Sequence, residues 1–149
     1  MAKAVYLDDL SIGDSFETGT HEMTADDIVS FARQFDPQPF HTDADVAQQS
    51  LFGGLAASGW HTAAVTMRLV VEAMPLARGM IGTEATTRWP TPTRPGDVLK
   101  AVATVEDIAE SKSKPGMGNI TVMTVTTNQH GEVRQEFRSK VLAWKRPDA

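Results

Sequence analysis

The stretch Ser58-Gly59-Trp60-His61-Thr62-Ala63-Ala64-Val65-Thr66-Met67-Arg68-Leu69-Val70-Val71-Glu72-Ala73-Met74-Pro75 decides the fold. Between Trp60 and Met74, apolar side chains fall on nearly every side of a helical wheel. A helix that is apolar all round is one that the rest of the chain surrounds. Its ends are marked as well. Ser58 is a favourable N-cap residue, and Pro75 cannot continue the helix.

Working outward toward the C-terminus, the hydrophobic period changes to two, which predicts strands near Gly82–Trp89, Val98–Ile108, Ile120–Asn128 and Val133–Trp144. Pro95-Gly96-Asp97 and His130-Gly131-Glu132 punctuate them as turns. In the last strand Arg134, Glu136, Arg138 and Lys140 define a solvated face, and Val133, Gln135, Phe137, Ser139 and Val141 a covered one. Residues 110–119, rich in Ser, Lys, Pro and Gly, read as a mobile loop. Toward the N-terminus, Asp14–Glu22 reads as a strand with Phe16, Thr18 and Thr20 on one face. Thr24 and Asp27 form a capping box that opens a helix through Gln34, with Ile28, Phe31, Ala32 and Phe35 on its buried side. A second, weaker box, Thr42 with Asp45, starts a short helix over Asp43–Gln49. One long buried helix among antiparallel strands predicts an α+β fold, a curved antiparallel sheet wrapped around that helix. The edges of such a sheet are often paired by dimerisation.

The 149 residues suit one domain, 1–149, with its own core. The chain is 41% hydrophobic and 22% charged, values of an ordinary globular protein. A net charge of −5 leaves no basic footprint for nucleic acid. No apolar run approaches the ~20 residues of a membrane span, and Met1–Asp9 holds no apolar stretch of secretory-signal length. Cysteine is absent, which excludes disulfides, thiolate metal sites and a cysteine nucleophile, and leaves the cytoplasm as the default compartment.

The chemistry lies just before the helix, in Phe35-Asp36-Pro37-Gln38-Pro39-Phe40-His41-Thr42-Asp43. Asp36 and His41 hang from a segment that Pro37 and Pro39 stiffen and hold out of the helical region. A carboxyl and an imidazole fixed together, with room for a small reactant between them, form a proton-transfer pair. The first turn of the buried helix adds free N–H groups and a positive dipole end. With no Cβ at Gly59, a carbonyl can approach there, so the amides of Gly59 and Trp60 are the expected oxyanion site.

The pattern Asp36-x-Gln38-Pro39-x-His41-x-Asp43, followed by Gly54-x-x-x-Ser58-Gly59 at the start of the helix, resembles the MaoC-like hydratases of the hot-dog fold, among them the (R)-specific enoyl-CoA hydratases. Pro95-Gly96-Asp97 before a strand is a further shared feature. Where many members have Gly before the Asp and Asn two after it, this chain has Phe35 and Gln38, which suggests a different acyl pocket. The resemblance implies reversible hydration of a trans-2-enoyl thioester, carried by coenzyme A or acyl carrier protein, with no cofactor and no metal. Asp36 and His41 would be catalytic, His41 activating water and Asp36 delivering a proton; the sequence fits the reverse assignment equally well. Gln38, Gly54, Ser58, His61 and Met67 would border the substrate. Arg88, Arg94, Lys112 and Lys114 are candidates for the phosphates of coenzyme A.

Several of these residues carry a second reading. Asp36 before Pro37 is a common turn starter, and His41 can simply bond a loop. His41 with Asp43 and Asp45 is a conceivable ligand set, but only one His is near and the carboxylates suit a helix N-terminus. Ser58 as a cap, His61 and Trp60 as core, and the methionines as filler are the structural alternatives. A hot-dog thioesterase needs a carboxylate on the buried helix, and the one acid there, Glu72, lies far from Ser58. A non-catalytic thioester-binding domain would lack the acid or the base.

Overall fold

The computed structural model describes residues 3–147; the first two and last two residues of the span 1–149 lie outside it. A turn of 3-10 helix (Leu7–Asp9) precedes β1 (Ser15–Glu22), α1 (Ala25–Phe35), α2 (Pro39–Thr42), α3 (Ala44–Gln48) and α4 (Gly59–Ala73). Four strands complete the chain: β2 (Ile81–Arg88), β3 (Val98–Glu110), β4 (Met117–Thr127) and β5 (Val133–Trp144). They form one antiparallel five-stranded sheet in the order β1-β3-β4-β5-β2. The helix α4 lies against its inner face, the α+β hot-dog arrangement that the resemblance implies. Val70 and Met74 at the C-terminal half of α4 pack with Ala101, Val105, Ile120, Val122 and Val141 from the strands. A second cluster, Met23, Ile28, Leu55, Ala57 and Leu99, closes the other end beneath α1. No helix among the described residues is long and apolar enough to cross a membrane.

Several boundaries and faces differ from the sequence reading, each for a local reason. The helix α4 is covered on one side only: His61, Thr62, Thr66, Leu69 and Val70 are buried, whereas Trp60 is 63% exposed and Met67 and Val71 are also open. Its all-round apolarity therefore reflects an unfilled side rather than enclosure. Phe35 is exposed, its ring 5.1 Å from that of Phe31, because α1 buries a narrower stripe at Ile28 and Ala32. The segment carrying His41 is one helical turn rather than a non-helical loop. Pro39 occupies its first position, where a missing N–H costs nothing and φ is preset. Asp43, not Thr42, caps the next helix, accepting from the Asp45 and Val46 amides. Strand enters residues 110–119 from both ends: pairing runs out to Glu110↔Gly118, confining the loop to a connection at 111–116. Arg134 lies inside, not on the solvated face of β5.

Arg134 is inside because Asp97 is. Arg134 Nε donates to Asp97 Oδ2 at 2.9 Å, and both side chains are 7% exposed. Asn128 Nδ2 and the Arg94 amide also donate to Asp97. Burial pushes the Asp97 carboxyl up, but these donors outweigh it and hold its pKa below the usual carboxylate value. The Pro95-Gly96-Asp97 turn, with Gly96 at φ 89°, is thereby pinned to β5. That anchor fixes Arg94, which matters for the site.

Candidate active site

Asp36 ends α1. As the residue before Pro37 it cannot stay helical, and its backbone (φ −152°, ψ 67°) turns the side chain off the helix axis. Gln38, before Pro39, is likewise extended, and α2 then carries His41 back over Asp36. The result is a close pair: His41 Nε2 lies 3.3 Å from Asp36 Oδ2, with the two side chains 6% and 18% exposed. Gln38 Nε2 donates to Asp36 Oδ1 at 2.5 Å. The Ser58 hydroxyl, which accepts from the Trp60 amide at 3.2 Å, also favours the ionised form of this carboxylate. Burial raises the Asp36 pKa, but the Gln38 bond, the Ser58 hydroxyl and the neighbouring imidazole outweigh it and leave it below the ordinary carboxylate value.

The other face of the imidazole is fixed. His41 Nδ1 lies 2.6 Å from the Ala56 carbonyl oxygen. A carbonyl only accepts, so Nδ1 carries the proton, and in the neutral ring Nε2 presents a lone pair toward Asp36. Two acceptors 3.3 Å apart need a proton between them. A water donating one O–H to each supplies two, and the gap must open by ~1 Å to admit it at normal hydrogen-bond lengths. The Ala56 carbonyl is itself held in place. The Arg94 guanidinium donates to the carbonyls of Phe52, Gly54 (3.0 Å) and Leu55 (3.3 Å), immediately before it. Arg94 is thus committed to the loop and is not a cation for phosphate. Its signal in the sequence was its place directly before the Pro95-Gly96-Asp97 turn.

The pair opens into a cavity of about 470 Å³ bordered by Gln38, Phe52, Gly59, Trp60, Trp89 and Thr93, among others. Gly54 lies outside this lining, serving instead as the Arg94 anchor. At the helix start the two amides differ. Trp60 N–H is taken by the Ser58 cap, whereas Gly59 N–H has no partner among the described residues. The space over Gly59 is not empty, as the sequence suggested. A Cβ there would meet three atoms of the Trp89 indole, the nearest at 2.6 Å. Trp89 was missed by the sequence reading; its ring is fixed by an edge contact with Trp60 and by Nε1 donating to Gln135 Oε1 at 2.9 Å.

A second, larger groove of about 640 Å³ runs along the open side of α4, between Trp60, Ala63, Met67 and Met74 and the strands β2, β4 and β5. Trp60 borders both cavities, and Met67 lines the groove. His61 borders neither. It stacks on Phe31 at 4.6 Å, buried, and burial holds its pKa down despite the opposing charge of Asp27. Glu72 is exposed and paired with Arg68, away from both cavities. Arg88, Lys112 and Lys114 are exposed and line neither.

The profile of the MaoC-like domain matches residues 9–129. The chain belongs to the MaoC-like dehydratase family. A MaoC-like dehydratase from Rhodospirillum rubrum shares 51% identity over 97% of this chain and all of that one, with a TM-score of 0.95. The uncharacterized protein YdeM of Bacillus subtilis is 34% identical over 83% of this chain and 87% of its own. The (R)-hydratase PhaJ1 of Pseudomonas aeruginosa, at 22% identity, shares the fold over 96% of this chain and 88% of its own, with a TM-score of 0.75. Family membership covers the fold and the dehydratase class, and leaves substrate and residue roles to be argued from the geometry.

Proposed function

We propose that this MaoC-like protein catalyses reversible hydration of a trans-2-enoyl thioester, most simply an enoyl-CoA, to the 3-hydroxyacyl thioester. The observation that carries the reading is the Asp36–His41 pair with His41 Nδ1 tied to the Ala56 carbonyl. Water enters between the two groups. His41 Nε2 takes one proton as the water oxygen bonds to C3, and returns it to C2 on the same face. Atoms balance: one O–H and the C2=C3 π bond break, and one C–O and one C–H form. Asp36, held ionised by Gln38 and Ser58, accepts the other O–H and stabilises the imidazolium while it exists. This moves proton delivery from Asp36 to His41, since a carboxyl with a lowered pKa stays ionised and holds no proton to give. Negative charge that develops on the thioester oxygen is met by the Gly59 amide at the positive end of α4; a donor so placed is typically worth ~3–4 kcal/mol. The acyl chain follows Trp60 into the groove beside Met67.

A second copy completes the groove in this reading. The strand β2 is a sheet edge, exposed at nearly every position, and it borders the open side of α4. Edge pairing with a second copy covers both. Among the described residues no cation lines either cavity, so a phosphate-binding residue would come from that copy. Sedimentation showing a monomer at the concentrations used for assay speaks against the dimer.

The test is loss of the conjugated-thioester absorbance of crotonyl-CoA, read beside a free-thiol assay. Hydration without thiol release is expected, with Asp36→Asn and His41→Ala each at least ~100-fold slower and still folded. Thiol release would make the protein a thioesterase, and near-normal turnover in either variant would remove the pair from the chemistry.

A further inference from the structure

The groove beside α4 is apolar at its far end but polar at the end nearest the Asp36–His41 pair. Gln135 on β5 lines it and is 1% exposed to bulk solvent. Trp89 Nε1 donates to Gln135 Oε1, and an indole N–H only donates, so this bond fixes which end of the amide is oxygen. Gln135 Nε2, with two N–H groups, has no hydrogen-bond partner among the described residues and opens onto the groove. Ser139, four residues along β5 and so ~13 Å further on, and Thr124 on β4 line the same wall; their hydroxyls also lack a protein partner among the described residues. Beyond them the wall is Val70, Met74, Met80 and Val141. The charged residue in this lining is Glu84, an acid, and among the described residues no Lys or Arg borders the groove.

We propose that the groove selects acyl chains that bear a neutral oxygen, a hydroxyl or a carbonyl, over plain alkyl chains and over carboxylated ones, and that Gln135 is the residue that reads the oxygen. The proposal rests on the enoyl-thioester reading and narrows its substrate class. In the free protein, water satisfies Gln135 Nε2 and the two hydroxyls. A plain alkyl chain displaces that water and returns nothing to the donors, a loss of affinity. A buried site built to hydrogen-bond a substrate group discriminates against the analogue that lacks it, because its own polar atoms are left unpaired. A carboxylate meets the opposite problem: it must shed water among lining residues of this chain that include no Lys or Arg, beside Glu84, whose charge Lys140 at 3.8 Å only partly offsets. Trp89 ties this selection to the chemistry, since the ring that orients Gln135 also packs over Gly59.

The experiment compares kcat/KM for trans-2-hexenoyl-CoA, its analogues with a hydroxyl at C5 or at C6, and trans-2-hexenedioyl-CoA. Two hydroxyl positions are used because the polar stretch spans ~13 Å. Wild type and Gln135→Met, which keeps the side-chain length, are measured. Wild type should favour at least one hydroxylated chain over the plain one by about 10-fold or more, with the diacid poorest. Gln135→Met should lower the hydroxylated rate more than the plain rate and collapse that ratio. Preference of the wild type for the plain chain, or an equal loss for both substrates in the variant, overturns the proposal. If the variant does not fold, competition by saturated 6-hydroxyhexanoyl-CoA against hexanoyl-CoA on wild type alone decides the same question: tighter binding of the hydroxylated chain supports the proposal, and equal or weaker binding overturns it. If no enoyl thioester is hydrated at all, the hydratase reading fails, and direct binding of those two saturated thioesters still decides the selectivity.

Discussion

Ser58 joins the stability of α4 to the ionisation of Asp36, and two substitutions separate the two roles. Its buried hydroxyl accepts from the Trp60 amide and favours the ionised Asp36 carboxylate. Removing an N-cap by Ser→Ala costs ~1 kcal/mol, whereas Gly at that position costs a few tenths. Ser58→Ala should therefore destabilise by about 1 kcal/mol at neutral pH, roughly 2–4 °C in Tm for a chain of this length, and Ser58→Gly by only a few tenths of that. Activity should not follow that order. The Ser58 hydroxyl lowers the Asp36 pKa, so its removal raises it, and the ionised form is needed for turnover. The acid limb of the pH profile of kcat/KM should move to higher pH in both variants alike. Thermal melts and pH–rate profiles on enoyl-CoA, taken together, separate the effects. An acid limb that stays put in both variants, or that moves in Ala and not in Gly, would show that Ser58 does not hold Asp36 ionised.

Gly59→Ala drives a methyl into the Trp89 indole, which its bonds to Gln135 and Trp60 hold in place; chemical denaturation should show a loss of ~1–3 kcal/mol, partly recovered by adding Trp89→Leu. Asp97→Asn leaves the buried Arg134 guanidinium without its counter-ion and should cost ~3–5 kcal/mol. Because the Asp97 pKa is lowered in the folded chain, its contribution is present above the ordinary carboxylate value of ~3.9 and is lost as pH falls through the folded value. The wild-type stability curve should thus drop steeply in acid and that of the variant more gently, as urea melts from pH 7 to pH 3 will show.

The order of elements was legible because period and punctuation are strong here: β5 runs over Val133–Trp144 as its alternation indicates, and Ser58 and Pro75 bracket α4. The approach of Asp36 to His41 was legible because two prolines restrict the backbone between them. What escaped the sequence was set by contacts between distant segments. Arg134 alternates as a surface residue should, and only Asp97, brought from the turn before β3, explains its burial. Arg94 reads as a free cation until the carbonyls of Phe52, Gly54 and Leu55 are seen around it. Glycine at 59 announced a close approach, but not that an indole from after β2 makes it. The apolar girth of α4 gave no indication of which side stays open, since that side faces a groove rather than the sheet.

Everything proposed for the chemistry depends on Asp36 and His41 addressing one water from one side of the double bond. Hydration of trans-2-butenoyl-CoA in deuterium oxide, with the relative configuration of the new C2 and C3 substituents read from proton coupling in the product, tests this directly. Syn addition is expected, deuterium and hydroxyl arriving on the same face. Anti addition would mean that the proton comes from a group on the opposite side, where neither residue lies.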